Sequence, residues 1–400
     1  MANNVMGNLI GIPVAVGLKR QLPILDYIGN DGERVALGGN GGIGSQGMKF
    51  VIRVGNPGVV TEGSAIGDDS VLLDEEELII KIYNLAYSMN DVEILKSEED
   101  EEITVKFPKL SNLAKTISQL AYNATLASCG TAVSGNLDIG QIALGDAYLD
   151  NIGFGDEKFR AFSPSLRAKI IGSSQYYKAN DSLSSELYEG LFKNFNGVDT
   201  VVVPSVKPIN LNGTASWTIN AIQNGAKGIT LTGVTAGFKV EAGTPFAVAG
   251  LTLCNIYGED LGLQRVFIAE KTVVATGTTL FVPTATIKFA GQMTTNGDGQ
   301  EVPWAVPNTI GTPGTTATLA VVATGLYSTG AVSDKKAIQY KTGDLAKVDA
   351  PYSESISLEG ELGMRLSGSF DIRAGVNSRR VDVLFGVKAC NIGGVAFYSL

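Results

Sequence analysis

Histidine is absent from all 400 residues. That removes the commonest general base, the commonest metal ligand and the side chain that titrates near neutral pH. Ser-His-Asp and Cys-His catalysis are excluded with it. Cysteine is nearly as scarce. Cys129, Cys254 and Cys390 lie far apart and form no Cys-x-x-Cys pair. They read as small buried apolar side chains in a reducing compartment, neither disulfides nor a zinc site. Charge is thin as well: charged residues make up 18% of the chain, and 31 basic against 40 acidic residues give a net charge of −9. No stretch is strongly basic, so the Lys and Arg clusters that displace counterions from nucleic acid are missing. No uninterrupted apolar run reaches the ~18 residues that span a bilayer. The apolar stretch 1–18 precedes Lys19 and Arg20, whereas a signal peptide needs its charges first. The expectation is a product that stays soluble in the cell that makes it.

What the chain does have is glycine, 49 residues of it, with 44% hydrophobic content. That is enough to bury a core, over a length that suits two or three domains. Glycine with Val, Thr and Ala at low charge predicts much β structure and many turns. Residues 1–48, with GGNGGIGSQG at 38–47, read as an extended arm. KFVIRVG (49–55) alternates as a strand should, and ELIIKIYNLAYS (77–88) returns as a second strand. The long polar tip between them makes a projecting hairpin.

FPKLSNLAKTISQLAYNATLASCG (107–130) predicts a long helix. Leu110, Leu113, Ala114, Ile117, Leu120, Ala121 and Ala124 form one apolar stripe. Pro108 suits the first turn and Gly130 the stop. The opposite face is Ser, Thr, Asn and Gln, which suits packing against protein. Residues 136–224 mix helix signals (140–154 and 163–173) with the strand DTVVVP (199–204). From about residue 225 the texture becomes short β segments punctuated by Gly and Thr, which predicts a separate all-β domain over 225–330. Phe246, Val248, Val266 and Ile268, with Leu280 and Val282, are its expected core. Gly225, Gly228 and Gly330 are the expected hinges. Residues 331–400 return to the body. The fold class is α+β.

Other motifs reduce to dull readings. GGNGGIGSQGMK lacks the Gly-Lys-Ser/Thr and the following helix of a phosphate loop. NGDGQE (296–301) lacks the calcium-loop glycine and distal glutamate in register, so it reads as a turn. EEDEE (98–102) reads as a solvated face. Asn123, Asn180 and Asn212 head Asn-x-Ser/Thr triplets that matter only after secretion. Asp68 and Asp69 sit in a loop with no marked pocket. No cofactor, metal or catalytic set emerges, and the expectation is a protein that is not an enzyme.

Four stretches carry a resemblance. Thr61-Glu62-Gly63 falls between the hairpin strands. IALGDAYLDNIGF with RAFSPSLRAKIIG follows the long helix. VEAGTPFAVAGLTLCNIYGEDLGLQRVFIAE (240–270) is the most specific. Arg380-Val381-Asp382-Val383-Leu384-Phe385-Gly386 stands near the end. Together they resemble the coat proteins of short-tailed double-stranded DNA phages with the Hong Kong-type capsid fold, in the Salmonella podophage-like branch that carries an inserted β-barrel domain. Two features depart from that pattern: Asn391-Ile392-Gly393 replaces the usual Pro-Glu, and the arm is glycine-rich where the family's is charged and helical.

The resemblance implies an N-terminal arm (1–48), an E-loop hairpin (49–88), a peripheral domain (89–135) with a spine helix at 108–129, an axial α/β domain (136–224), the insertion (225–330), and a return to the axial and peripheral domains (331–400). It implies Thr61, Glu62, Gly63, Asp68 and Asp69 as an inter-subunit hairpin tip, and Leu113, Ile117 and Leu120 as the spine-helix core. It further implies a structural subunit that forms hexamers and pentamers of itself around a scaffolding protein, with a portal at one vertex and a decoration protein as an optional partner. The shell would mature as genome enters. Such a virion protein is made in the bacterial cytoplasm and encloses DNA without sequence-specific binding or membrane contact. The mildly acidic balance suits a wall that does not stick to its cargo. Two alternatives stand beside it. An encapsulin-like nanocompartment shell would lack the β insertion and carry an enzyme cargo. A secreted β-rich binding or surface-layer module would need an export signal.

Overall fold

The computed structural model describes residues 18, 20–29, 45–51, 73–90, 107–155, 157–172, 194–195, 197–213, 215–295, 301–303, 306–343, 345, 352–357, 362–371 and 376–400. In chain order a 3-10 turn (Pro23–Tyr27) precedes β1 (Ser45–Val51), β2 (Leu73–Ile79), β3 (Lys81–Asn90), helix α1 (Phe107–Ala127), β4 (Cys129–Gly135), α2 (Ile139–Ile152), β5 (Lys158–Phe162) and α3 (Pro164–Ile171). Then come β6 (Asn194–Phe195), β7 (Val198–Val202), β8 (Ile209–Leu211), β9 (Ser216–Ile219), β10 (Gly228–Thr232), β11 (Lys239–Val240), β12 (Pro245–Cys254), β13 (Asp260–Ile268), β14 (Val273–Val274) and β15 (Thr279–Pro283). The chain continues with β16 (Met293–Thr295), β17 (Glu301–Pro303), β18 (Thr309–Gly311), β19 (Thr316–Leu319), β20 (Gly325–Asp334), β21 (Ile338–Thr342), β22 (Tyr352–Ser357), β23 (Gly363–Asp371), β24 (Val376–Ala389) and β25 (Gly394–Ser399).

Two compact units result. The first gathers residues 1–46, 77–121 and 339–388. Its sheet has the order β21-β24-β23-β22, with β3 on β24 as well. The long β24 is the shared member, antiparallel to both β23 and β3. The expected single returning strand at 77–88 is in fact two strands that break at Ile80. β2 pairs with β1, while β3 pairs with β24. Ile80 is itself buried, as is Leu78, whereas Ile79 is half exposed. The described end of the arm is packed: Leu18, Leu22, Ile24 and Ile28 are buried, and Gly29 bridges to Gln339. An extended arm was expected there, but these four apolar side chains give the segment a buried face.

The second unit gathers residues 47–76, 122–338 and 389–400. One of its sheets has the order β4-β25-β20-β5-β7-β6, parallel at β25–β4 and β5–β7 and antiparallel where β20 meets β25 and β5. α2 is capped by Asp138, which accepts from Gln141 N at 2.9 Å, and ends on Gly153 in the left-handed region. α3 starts with the Ser163 cap and Pro164 in the first turn. Ile142, Leu149 and Ile152 of α2 and Leu166 and Ile170 of α3 share a core with Val332 and Phe397. Gly145 lets α2 close onto β25: a Cβ there would stand 2.4 Å from the Phe397 ring.

The other large sheet has the order β13-β12-β19-β9-β10-β15. Its outer strands meet, since Glu270 just past β13 donates its N–H to Pro283 O at 2.9 Å. Register puts Ile229 with Val282, Leu231 with Leu280, Trp217 with Ala317, Leu319 with Phe246, and Phe246 with Phe267 on one continuous face. That face is the inside of a curled, barrel-like sheet.

Several expected boundaries shift. The curled sheet begins with β9 at Ser216 and ends with β19 at Leu319. β8 and β20, already in the body, pair across its base at Ile209↔Tyr327. Gly330, expected as a hinge, lies inside β20 opposite Phe162 and Phe397. Gly228 lies inside β10 opposite Pro283. Gly130, expected to stop the helix, belongs to β4, and α1 already ends at Ala127.

Candidate functional site

Charged side chains buried inside apolar runs mark the structurally committed positions of this chain. Three such nodes stand out among the described residues.

The first is the Arg380-Val381-Asp382-Val383-Leu384-Phe385-Gly386 stretch of β24. Val383, Leu384 and Phe385 are fully buried, and so is Asp382. Asp382 Oδ2 accepts from Arg365 Nε at 3.1 Å and Nη2 at 2.7 Å, and Oδ1 accepts from Arg380 Nε at 2.6 Å. Arg365 sits directly across on β23, in register with Asp382. Gly386 is required by β3's approach: a Cβ there would lie 2.8 Å from Ile79 O. The motif is therefore a packing and ion-pair device for a strand with neighbours on both sides.

The second node is Arg160 with Asp146, both buried. Arg160 Nε donates to Asp146 Oδ1 at 3.2 Å, Nη2 makes a shorter bond to Oδ2, and Nη1 donates to Val198 O at 3.1 Å. It ties α2, β5 and β7 together.

The third node is Arg265 on β13, 1% exposed. Its Nη1 donates to Gly130 O at 3.2 Å and Cys129 O at 3.5 Å, and more closely to Val266 O. Its Nε donates to Thr309 Oγ1 at 3.3 Å, and its guanidinium carbon stands 4.7 Å from the centre of the Phe267 ring. No carboxylate among the described residues pairs with it. Burial pulls its guanidinium down to about 10, against the pull of the nearby Cys254 and Cys129 thiols. Sequence analysis quoted the stretches that hold these nodes but not the buried contacts their charges make. The signal was present each time: a charge flanked by apolar residues inside LGDAY, FRAF, LQRVFIA or VDVLF.

The expected site residues divide. Leu113 and Ile117 are buried at 5% and 0%, while Leu120 is half-buried. It therefore lies at the border of the stripe. Phe246, Val248, Val266 and Ile268 are all buried, but they do not make one core. Ala247 pairs with Val266 and Phe246 with Phe267. Phe246 and Val248 thus face the inside of the curled sheet, and Val266 and Ile268 face the other way. β12 and β13 also lie against β4; Leu253 and Arg265, on the Phe267 side of the strands, reach Gly130 there. Thr61, Glu62, Gly63, Asp68 and Asp69 lie outside the described residues, as does most of 296–301.

Among the described residues no three Cys, Asp or Glu side chains converge as a metal site. No described helix is long and apolar enough to cross a membrane.

No protein-family model matches the chain, and no curated protein matches it. Solved structures do align. A structure from Mycobacterium phage Che8 has 10% identity, a TM-score of 0.42 and coverage of 94% of this chain and 90% of that one. The capsid of Ralstonia phage GP4 has 8% identity, a TM-score of 0.45 and coverage of 92% and 85%. The acid-stable capsid structure of Helicobacter pylori bacteriophage KHP30 has 8% identity, a TM-score of 0.42 and coverage of 94% and 91%.

Proposed function

We propose that the chain is a structural, non-enzymatic subunit that assembles with copies of itself into the icosahedral capsid of a tailed double-stranded DNA phage. The observation that carries this reading is the chain order of its parts. A hairpin strand (β3) on the Arg-Val-Asp-Val-Leu-Phe-Gly strand, a 21-residue helix leading straight into a mixed sheet, and a curled β-sheet inserted between β8 and β20 follow one another. That is the order the sequence resemblance leads one to expect of such coat proteins.

In the finer reading the curled sheet is the insertion domain, α1 the spine helix and the 49–88 segment the inter-subunit hairpin. Hexamers and pentamers form around a scaffolding protein, with a portal at one vertex, and the shell matures as genome enters. The product is a virion protein made in the bacterial cytoplasm. A polar hairpin tip gains nothing from its own core and is best used against a neighbour.

Negative-stain microscopy of the expressed chain, with and without a co-expressed scaffold, tests the reading. Closed shells or six-fold and five-fold capsomers are expected. Deleting residues 57–67 should leave a folded chain that fails to close shells. A chain that stays monomeric with scaffold present overturns the capsid reading, and normal shells from the deletion overturn the role of the hairpin.

A further inference from the structure

Arg265 is a buried cation whose partners among the described residues are neutral, and those partners come from two places. Thr309, Val266 and Phe267 belong to the curled sheet, whereas Cys129 and Gly130 open β4 directly after α1. A guanidinium can satisfy several carbonyls at once because its donors are fixed in a planar fork. The two β4 carbonyls lie within three residues of the helix's last residue, Ala127, where the negative end of the helix dipole favours a cation. The surroundings reinforce the same junction. Leu253 of β12 lies where a Cβ on Gly130 would stand, 2.6 Å away, and Tyr398 of β25 donates to Gly243 O at 2.6 Å.

We propose that Arg265 is a latch that fixes the curled sheet to the α1–β4 junction, so that the inserted sheet and the body of this unit move as one piece. Whatever the chain assembles into, a displacement of the sheet would then be transmitted to the end of the long helix, and the reverse. Among the described residues no acid balances its charge; its fork holds main-chain carbonyls on β4 and β13, which share no strand pairing.

The chain carries its own reporters. Cys129 and Cys254 are buried free thiols at this junction. Iodoacetamide labelling of the full chain measures how often the junction opens, and hydrogen exchange measures opening elsewhere. Arg265→Met removes the fork but keeps most of the apolar volume. Labelling of Cys129 and Cys254 should rise roughly tenfold or more, while amide exchange in β5, β7, β10 and β15 stays near wild type. Arg265→Lys, which keeps the charge without the fork, should fall between. Unchanged labelling in Arg265→Met overturns the proposal. So does a rise matched by faster exchange in all four reference strands, because that marks a general core residue. Should Arg265→Met be insoluble, Thr309→Val decides: a smaller, still selective rise supports the latch, and no rise overturns it.

Discussion

Replacing Asp382 by Asn removes the charge at the centre of the Arg365–Asp382–Arg380 group while keeping one acceptor oxygen. The structure ranks the consequences. Asp382 is fully buried and the Arg365 side chain is 13% exposed, whereas the Arg380 side chain is 48% exposed. Arg365 keeps at most one neutral acceptor oxygen in place of the carboxylate and has little water to turn to. Breaking a buried ion pair from one side costs about 3–5 kcal/mol, and the amide oxygen left by Asn puts Asp382→Asn near the lower end. Arg365→Met leaves the buried carboxylate with the half-exposed Arg380 as its remaining arginine among the described residues and should cost about as much. Arg380→Ala should cost less than about 1 kcal/mol, because water screens a half-exposed arginine. The double variant Arg365→Met with Asp382→Leu removes both charges and should recover most of the loss. Urea unfolding by circular dichroism gives the ranking, with hydrogen exchange of β23 and β24 peptides locating the effect. The reasoning fails if Arg380→Ala costs as much as Arg365→Met, or if Asp382→Asn costs under about 1 kcal/mol.

On helix α1, Ile117→Ala should cost roughly 2–5 kcal/mol and Leu120→Ala less than half of that, since only Ile117 is fully buried. Equal shifts in melting temperature would contradict the assignment. Alkaline stability carries a further sign. Burial pushes the Cys254 thiol up to about 11 from 9.0, and burial also raises Cys129. Both stay protonated in the fold and ionise on unfolding, so their contribution is complete below about pH 9 and is lost as pH rises. Arg265, pulled down to about 10, acts with the opposite sign above that value. Between about pH 9 and pH 10 stability should therefore fall by up to about 1.4 kcal/mol per pH unit for each thiol. The Cys129→Ala, Cys254→Ala double variant should flatten that slope in urea titrations. A wild-type slope already flat there would refute the burial argument.

Local signals in the sequence were legible where one element decides its own fate. The apolar stripe at Leu113 and Ile117 is buried, and Thr279–Pro283 alternates with Leu280 and Val282 buried. What stayed hidden depends on partners distant in the chain. Gly330 looks like a hinge by itself, but its neighbours are Phe162 and Phe397, about 170 and 70 residues away in the chain, and contacts that distant leave no periodic trace. The break at Ile80 is hidden inside a continuous apolar run, because both halves are strands and only their partners differ.

The inserted sheet shows the same limit most fully, and its composition explains why. A free-standing barrel should alternate, apolar inside and polar outside, as β19 does with Thr316 and Thr318 exposed and Ala317 and Leu319 buried. β12 and β13 instead contain the unbroken buried runs Pro245 to Val248 and Arg265 to Ile268. A strand buried on both faces is covered on both sides, and β12 and β13 also lie against β4 of the body. Leu253, Ala285 and Val306 from the inserted segment belong to the same core as Leu149 and Phe397 of the body. Cutting the segment out would expose Leu253, Ala285 and Val306 and leave Arg265 without its β4 carbonyls. The non-alternating strands, the shared core and the arginine held by β4 carbonyls are thus three marks of one arrangement, in which the insertion is completed by the body it interrupts.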